Sequence, residues 1–226
     1  MSQSVHIIIV AAGSGSRFGG TVPKQFCLLD GRPVLMHTIG RMRHALPDAS
    51  LSVVLSPAMT DLWEQLCREH GFVSPPVILG GDTRSDSVRH AVLALDHAPD
   101  IILVHDGARP LASDRCIRAT VQAIVPGVDG AIPATPVTDS LRRLMPDGSS
   151  QAVDRNDFRS VQTPQAFSGP EIIDAYRRCG GSFSDDASIM QHCGHANIVL
   201  TSGEPSNIKI TNPIDLAIAE ILLHQE

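Results

Sequence analysis

The sequence predicts a single α/β domain over residues 1–226, Rossmann-like and doubly wound, with a mostly parallel central sheet flanked by helices and a projecting β-arm. Three observations predict this class. Short apolar runs alternate with amphipathic stretches of helical length. The runs are apolar on both faces, as in parallel strands covered by helices on both sides. A chain of 226 residues is long enough for one substantial core.

Five apolar runs account for the predicted strands of the sheet. They are 5–11, 51–56, 75–80, 100–106 and 130–135. The stretches between them predict helices at 33–46, 60–70, 84–97 and 113–124. Because the carboxyl ends of parallel strands meet at one edge of such a sheet, ligands are expected to bind there.

The alternation of strands and helices stops after Thr135. In the segment that follows, "DSLRRLM" and "QAVDRNDF" flank the turn signal "PDGSS" and predict an extended hairpin. Both strands carry several charges, which is unfavourable in a core. We therefore interpret 136–160 as an arm that projects from the sheet.

The remainder of the chain predicts helices at 170–179 and about 185–193, a strand at 196–201 and a final helix. Asn212 is a capping residue for this last helix and Pro213 suits its first position. Apolar residues at helical spacing predict that the helix packs on the sheet. These residues are Ile214, Ala217, Ile218, Ile221 and Leu222.

Composition excludes several classes of protein. A net charge of −6 argues against nucleic acid as a partner, and no apolar run approaches the roughly 20 residues that span a bilayer. We expect a cytoplasmic protein with no membrane partner. The five cysteines form no CxxC pair and are expected to be free thiols, and His192, Cys193 and His195 lack a second cluster for zinc.

The stretch "VAAGSGSRFGGTVPKQF", residues 10–26, follows the first predicted strand. A dinucleotide fingerprint fails because Phe18 stands at its third glycine, and a P-loop fails because Lys24 follows Pro23. What remains is a loop whose peptide N–H groups can approach phosphate oxygens closely, with Arg17 and Lys24 as cations. The alternative is a flexible turn with two solvated cations.

This loop resembles the signature of sugar-phosphate nucleotidyltransferases, and the resemblance continues along the chain. Six further segments are similar, in the same order, to motifs of the 2-C-methyl-D-erythritol 4-phosphate cytidylyltransferase family. They are "GGDTRSDSV" (80–88), "LVHDGARPL" (103–111), "ATPVTDSLRR" (134–143), "VDRNDFRSVQTPQAF" (153–167), "SDDASIM" (184–190) and "SNIKITNPIDLAIAE" (206–220). Ordered motifs over nearly the whole chain are far more specific than one glycine loop.

The resemblance implies that CTP and methylerythritol 4-phosphate react to give 4-diphosphocytidyl-methylerythritol and pyrophosphate. A phosphomonoester with a second pKa near 6 is largely ionised at neutral pH, so a catalytic base is not required. The difficulty is repulsion between two anions, which fixed cations offset. The resemblance assigns this catalytic role to Arg17, Lys24 and Lys209.

The resemblance also assigns binding residues. By this resemblance Arg155 is the clamp for the acceptor phosphate, and because the arm crosses to a partner subunit in the family, a homodimer is expected. A mobile lid is the alternative role for the arm. For CTP, the residues are Ala11, Ala12, Gly13, Ser14, Gly15, Gly81, Asp82, Ser87, Asp106 and Gly107. For the polyol phosphate, they are Asp139, Ser140, Arg155, Thr163 and Ser184.

Two carboxylates in these motifs have alternative structural roles. Asp106 ends the fourth strand beside the expected phosphates, where Mg²⁺ would relieve repulsion, and it is our predicted metal ligand. The alternative is that Asp106 caps a turn or pairs with Arg109. Asp82 is assigned to the cytosine pocket and can also cap the helix that follows.

Two rival functions remain open. A ribitol 5-phosphate cytidylyltransferase shares the loop and the "VHD" strand, and Ser140 and Ser184 stand where relatives often have Thr. The arm motifs favour the methylerythritol acceptor. A non-catalytic nucleotide-binding regulatory subunit is disfavoured because the cations Arg17, Lys24, Arg155 and Lys209 are all retained.

Overall fold

A computed structural model describes residues 3–13, 18–19 and 22–225. Its strands are β1 Val5–Val10, β2 Leu28–Leu29, β3 Arg32–Pro33, β4 Ser50–Leu55, β5 Val77–Leu79, β6 Ile101–Asp106, β7 Gly130–Pro136, β8 Leu141–Leu144, β9 Ser150–Val153, β10 Arg159–Val161, β11 Gln165–Ser168 and β12 Ile198–Ser202. Its helices are α1 Val34–Ala45, α2 Thr60–Glu69, α3 Arg84–Leu93, α4 Asp114–Gln122, α5 Gly169–Arg178, α6 Asp186–His192 and α7 Pro213–Leu223.

The central sheet confirms the predicted α/β class. Strand β1 pairs in parallel with β4 on one side and β6 on the other, and β5 extends the sheet beyond β4. Ile7, Ile8 and Ile9 of β1 are fully buried, and their side chains alternate between the two core layers. All five predicted sheet strands are present, although α3 ends at Leu93 rather than near 97.

An antiparallel strand interrupts the parallel sheet, which the sequence analysis did not predict. Strand β11 pairs antiparallel with both β6 and β7, and so lies between them. Strand β10 pairs antiparallel with the end of β7, while β12 pairs with β7 in parallel. A four-residue strand such as "QAFS" is held mainly by long-range backbone pairing, which leaves little local signal.

The predicted hairpin in the arm is confirmed, and its end is corrected. Strands β8 and β9 pair antiparallel with each other, and their residues are mostly exposed. The arm was expected to continue to residue 160. Instead the chain has returned to the main sheet by Arg159, because β10 pairs with β7 from that residue.

The last helix begins as predicted but packs differently. Asn212 and Asp215 form a capping box, and Pro213 occupies the first turn. However, Ile214, Ile218 and Ile221 are 64%, 42% and 61% exposed, so the expected packing of this face on the sheet is wrong. Leu222 is the predicted residue that does pack against buried apolar side chains. The opposite face is buried instead, because α7 covers the β2–β3 hairpin and the loop after β6. Both faces of α7 carry apolar residues, so the sequence pattern does not indicate which face is buried.

The expectation that all five cysteines are free thiols is wrong for one pair. Cys179 and Cys193 follow α5 and α6, whose ends converge, and they are joined as a disulfide. Such a pair depends on tertiary packing, so linear spacing does not reveal it. In the described part of the chain no helix has the length and apolar character to cross a membrane.

Replacing Phe167 tests whether β11 is a core strand. Strand β11 lies between β6 and β7, and its Phe167 side chain is fully buried in a core layer, so Phe167→Ala should lower the free energy of unfolding by about 3–5 kcal/mol. Urea unfolding followed by circular dichroism measures this. The exposed Val73 gives a control, and Val73→Ala should change stability by less than about 0.5 kcal/mol. Equal effects of the two substitutions would contradict the position of β11.

Candidate active site

A cleft of about 490 Å³ opens at the carboxyl ends of β1 and β6. Its size lies within the usual range for small-molecule sites. Residues from four separate parts of the chain meet there (10–25, 81–87, 106–108 and 209–211), and the lining mixes backbone, lysine, arginine and carboxylate groups. They are Val10, Ala11, Ala12, Gly13, Lys24, Gln25, Gly81, Asp82, Thr83, Arg84, Ser87, Asp106, Ala108, Lys209 and Thr211.

Gln25 shapes the beginning of the glycine loop. Its buried side-chain amide donates hydrogen bonds to the carbonyls of Ala11 at 2.8 Å and Gly13 at 3.1 Å. The short turn Lys24–Phe26 that carries it is anchored by Phe26, which stacks on Trp63. Lys24 therefore enters the cleft from an anchored turn. Sequence analysis gave no role to Gln25, because the charge of its neighbour Lys24 was the feature that indicated phosphate binding.

The loop after β5 forms another wall of the cleft. The buried Ser87 hydroxyl accepts a hydrogen bond from the Gly81 N–H and donates one to the Thr83 carbonyl. A Cβ at Gly80 would lie 2.7 Å from the Cβ of Ala12, so this loop can approach β1 only with glycine there. The alternative role of Asp82 as a helix cap is wrong, because Thr83 caps α3 by accepting a hydrogen bond from the Asp86 N–H. The Asp82 side chain is left exposed at the cleft.

Three cations surround the buried carboxylate of Asp106. Lys209 Nζ lies 2.8 Å from Oδ2, and Arg109 Nε lies 3.5 Å from the same oxygen. Arg84 Nε lies 3.3 Å from Oδ1. Pairing with Arg109 was one of the two alternatives for Asp106, and the structure contains that contact together with two others.

The pKa of Asp106 follows from these contacts. Burial alone would raise it, but the charges of Arg84, Lys209 and Arg109 lower it well below its usual range. Burial lowers the pKa of Arg109, and the carboxylates of Asp186 and Asp106 outweigh burial to raise that of Arg84. Asp106 is therefore ionised in the folded protein and neutralises part of a strongly basic cleft.

Lys209 reaches the cleft on a segment that is tied to the loop after β6. The Ile210 N–H donates to the Ala108 carbonyl at 2.9 Å. The main-chain carbonyl of Asn207, a fully buried residue, accepts a hydrogen bond from Arg109 Nη1 at 2.7 Å. The Lys209 side chain is 39% exposed. Its backbone is thus fixed, while its ammonium group can still turn toward a ligand.

Thr163 supports Asp106 from behind the cleft. Its buried hydroxyl accepts from the Asp106 N–H at 3.0 Å and lies 3.0 Å from His105 Nδ1. His105 Nε2 lies 3.0 Å from the Arg109 carbonyl and must donate to it, so Thr163 donates to Nδ1. Thr163 is absent from the lining of the cleft, and its contact with an acceptor stays a prediction.

The other predicted acceptor residues lie away from the cleft in a single chain. Asp139, Ser140 and Arg155 are exposed residues of the arm, and Arg155 donates to the Thr138 carbonyl. Ser184 is exposed near the start of α6, with its hydroxyl 3.3 Å from that of Ser188. None of these four lines the cleft.

The predicted nucleotide and catalytic residues are largely brought together. Gly107 is an exception, since its N–H donates to Val10 and its carbonyl accepts from Thr38. Three predicted residues lie outside the described residues, namely Ser14, Gly15 and Arg17. The nine that line the cleft are Ala11, Ala12, Gly13, Lys24, Gly81, Asp82, Ser87, Asp106 and Lys209.

Arg84 is a cleft residue that the sequence analysis missed. It stands within "GGDTRSDS", but no role was given to it. An arginine at the start of a helix is common, so the sequence alone carried little signal. Its contacts with two carboxylates, Asp106 and Asp186, appear only when β6 and α6 are placed beside α3.

The cleft offers few ligands for a divalent cation. Among the described residues, no three His, Cys, Asp or Glu side chains come together. Asp106 offers oxygen ligands of the kind that Mg²⁺ prefers, but both of its oxygens contact cations. One carboxylate fits a metal held mainly by phosphates and water, provided that Lys209 moves from Oδ2.

Comparisons with known proteins agree with this arrangement. The profile of the family described as "IspD: 2-C-methyl-D-erythritol 4-phosphate cytidylyltransferase" matches residues 5–225. The chain is 42% identical over 231 residues to a 2-C-methyl-D-erythritol 4-phosphate cytidylyltransferase of Porphyromonas gingivalis, covering 99% of each chain. It is 41% identical over 225 residues to that of Bacteroides thetaiotaomicron, covering 99% of this chain and all of the relative.

A solved structure shows the same fold. The crystal structure of 4-diphosphocytidyl-2C-methyl-D-erythritol synthase from Anaerococcus prevotii superposes with a TM-score of 0.83 at 26% identity. The match covers 98% of this chain and 99% of that one. The likeness therefore extends over the cleft, the sheet and the arm.

The buried histidines predict a specific pH dependence of stability. Burial lowers the pKa of His105 to about 4 from 6.5. The unfolded chain then binds a proton below pH 6.5 that the folded protein takes up only near pH 4, so stability should fall as pH falls through this window. In His105→Gln the slope should be smaller by up to about 1.4 kcal/mol per pH unit.

Urea unfolding between pH 4 and 7.5 measures this slope. His6 gives a second variant, because burial and then His97 lower its pKa to about 4. His6→Gln should reduce the slope in the same way. A His105→Gln protein whose stability falls as steeply as that of the parent would show that His105 is charged in the folded state.

Proposed function

The chain belongs to the 2-C-methyl-D-erythritol 4-phosphate cytidylyltransferase family, and we propose that the cleft at the carboxyl ends of β1 and β6 is its active site. The enzyme is a CTP-dependent nucleotidyltransferase. It joins CTP and 2-C-methyl-D-erythritol 4-phosphate and releases pyrophosphate. The observation that supports the location is the meeting of Lys24, Lys209 and Arg84 in one cleft at the sheet edge where α/β proteins bind ligands.

The chemistry needs charge and position rather than a base. The acceptor phosphomonoester is largely dianionic at neutral pH, and one of its oxygens attacks the α-phosphorus of CTP in line. The attacking oxygen forms the new P–O bond while the bond to pyrophosphate breaks. Both substrates are anions, so fixed cations must offset their repulsion as they approach.

Lys24 and Lys209 are the cations that we place at the reacting phosphate. Lys209 Nζ contacts Asp106 at 2.8 Å, and Asp106 also contacts two arginines. An incoming triphosphate can therefore attract the lysine without leaving the buried carboxylate uncompensated. Arg17 is proposed to complete this set from the glycine loop, although it lies outside the described residues.

The loop after β5 is proposed to hold the cytosine. Gly81, Asp82 and Ser87 stand there, opposite the backbone of Ala11 and Ala12. A pocket with fixed hydrogen-bonding groups rejects a base that leaves those groups unpaired. Ser87 is already bonded to Gly81 and Thr83, so its proposed role is to fix the Gly81 peptide that faces the base.

A divalent cation is proposed to enter with CTP. When bound, Mg²⁺ would neutralise phosphate oxygens, and Asp106 would be its protein ligand. Lys209 would release Oδ2 of Asp106 for this purpose. Because both substrates are water-soluble anions, we also propose that the reaction takes place in the cytoplasm.

The acceptor site is proposed to be shared between two subunits. Arg155, Asp139 and Ser140 lie on an exposed arm whose strands pair only with each other among the described elements. Since none of them lines the cleft of its own chain, a second copy can supply them. A homodimer with exchanged arms accounts for both observations.

Acceptor choice is the sharpest test of the reaction itself. With CTP and Mg²⁺, the purified protein should release pyrophosphate at least tenfold faster with 2-C-methyl-D-erythritol 4-phosphate than with ribitol 5-phosphate, because the arm motifs match the former. A coupled pyrophosphate assay measures both rates. Faster release with ribitol 5-phosphate would favour the alternative acceptor. Release with neither acceptor, alongside normal CTP binding, would favour a regulatory subunit.

Mixing two inactive variants tests the shared site. Lys24→Ala and Arg155→Ala should each lower kcat/KM by about 10²–10³, since each removes one cation from a phosphate. If Arg155 serves the neighbouring cleft, each mixed dimer retains one intact site. Equal mixing after subunit exchange should then restore about a quarter of the parent activity, because about half the dimers are mixed and half their sites are intact.

The control for this mixture is each variant exchanged with itself, which should stay inactive. The activity should be measured on samples whose dimers have been allowed to re-form. A mixture that is no more active than its two components would show that Arg155 acts on its own subunit.

A further inference from the structure

Arg84 joins the cleft to a buried carboxylate behind it. It is the first residue of α3, and its Nε lies 3.3 Å from Oδ1 of Asp106. Its Nη2 lies 2.8 Å from Oδ2 of Asp186, which has no solvent exposure. One guanidinium group thus bridges a carboxylate in the cleft and one behind it, using two nitrogens in a fixed planar geometry.

Asp186 is itself held in place by Tyr176. The Tyr176 hydroxyl on α5 donates to Oδ1 of Asp186 at 2.6 Å, while the other oxygen receives Arg84. Burial, and then the charge of Asp186, raise the pKa of Tyr176, so the phenol stays a neutral donor. Both oxygens of the buried carboxylate are therefore engaged, and a chain of contacts leads from α5 to the cleft.

Stability alone is a weak reason for this network. Apolar residues from α3, α5 and α6 already share one core layer, including Val88, Ile172 and Ile189. A buried ion pair is often no more stabilising than apolar side chains of similar size. What such a pair does provide is a fixed direction for its charged groups.

We propose that Asp186 and Tyr176 are positioning residues for cytidylyl transfer, which hold Arg84 and, through it, the Asp106 carboxylate in the orientation from which Lys209 is presented to the nucleotide. The proposal rests on the function proposed above. With Arg84 fixed on Oδ1, the other oxygen of Asp106 faces Lys209 at 2.8 Å. Neither Asp186 nor Tyr176 lines the cleft, so neither is expected to touch CTP.

A double-mutant cycle tests whether Asp186 acts through Arg84. Arg84→Lys retains the charge, but a single ammonium group cannot bridge the two carboxylates in the same geometry. We expect Arg84→Lys and Asp186→Asn each to lower kcat by about 10- to 100-fold, since a misplacement of about 1 Å in a catalytic group can cost about 100-fold. The double variant should be no slower than the slower single variant, because both changes break the same link.

The binding of CTP separates positioning from general damage. Asp186→Asn removes a negative charge and leaves the region of the cleft one unit more positive. We therefore expect the Kd for CTP, measured by calorimetry without acceptor, to be unchanged or lower while kcat falls. A protein that is merely damaged would lose binding sites and activity together.

Glu204 offers a matched control for a buried carboxylate. Its Oε1 accepts a hydrogen bond from the Ser113 hydroxyl at 2.6 Å and lies 3.4 Å from Arg115 Nη2. Glu204 thus has one hydroxyl and one arginine partner, as Asp186 has in Tyr176 and Arg84. Its carboxylate points to the start of α4 and not to the cleft. Glu204→Gln should lower the melting temperature while kcat stays within about twofold of the parent.

Each outcome has a defined meaning. The proposal would be overturned if the double variant lost kcat by the product of the two single losses. A folded Asp186→Asn protein with the parental kcat would also overturn it. If Asp186→Asn does not fold, Tyr176→Phe replaces it in the same cycle, with an expected loss of about threefold in kcat and the same lack of additivity. If the parent binds CTP but transfers nothing to methylerythritol phosphate, the proposed function fails first and the positioning role fails with it.

Discussion

The organisation of the cleft depends on one buried carboxylate. Asp106 lies at the end of a central strand and contacts Arg84, Arg109 and Lys209, which come from three different parts of the chain. A buried charge is tolerated only when it is paired, and the same pairing keeps three cations close together despite their repulsion. The carboxylate thus stabilises three cationic side chains next to the place where a polyphosphate is proposed to bind.

The sheet explains how residues far apart in sequence reach this carboxylate. Val10 and Asp106 are neighbours in the register of β1 and β6, so the glycine loop and the loop after β6 leave the sheet side by side. A Cβ at Gly107 would lie 2.9 Å from that of Ala11, which shows how closely the two loops approach. The segment that carries Lys209 is then bonded to Ala108 through Ile210. Parallel pairing therefore brings the two loops together, and a backbone hydrogen bond adds the segment that carries Lys209.

Much of this arrangement could be predicted from sequence, and the failures have physical causes. Buried parallel strands have continuous apolar runs, so β1, β4 and β6 were predictable, and nine site residues predicted from motifs line the cleft. Strand β11 was missed because long-range pairing rather than local pattern makes it a strand. The exposed face of α7 was mistaken for its buried face because both are apolar. Arg84 was missed because its two carboxylate partners belong to distant segments.

A structure with bound nucleotide tests the central claim most directly. The protein should be crystallised with Mg²⁺ and a CTP analogue that cannot be cleaved at the α-phosphate, and the distance from Lys209 Nζ to the nearest phosphate oxygen should be measured. We expect Lys209 to lie within hydrogen-bond distance of that oxygen, while Arg84 and Arg109 stay on Asp106. A nucleotide bound in the cleft with Lys209 directed into bulk solvent would contradict the account.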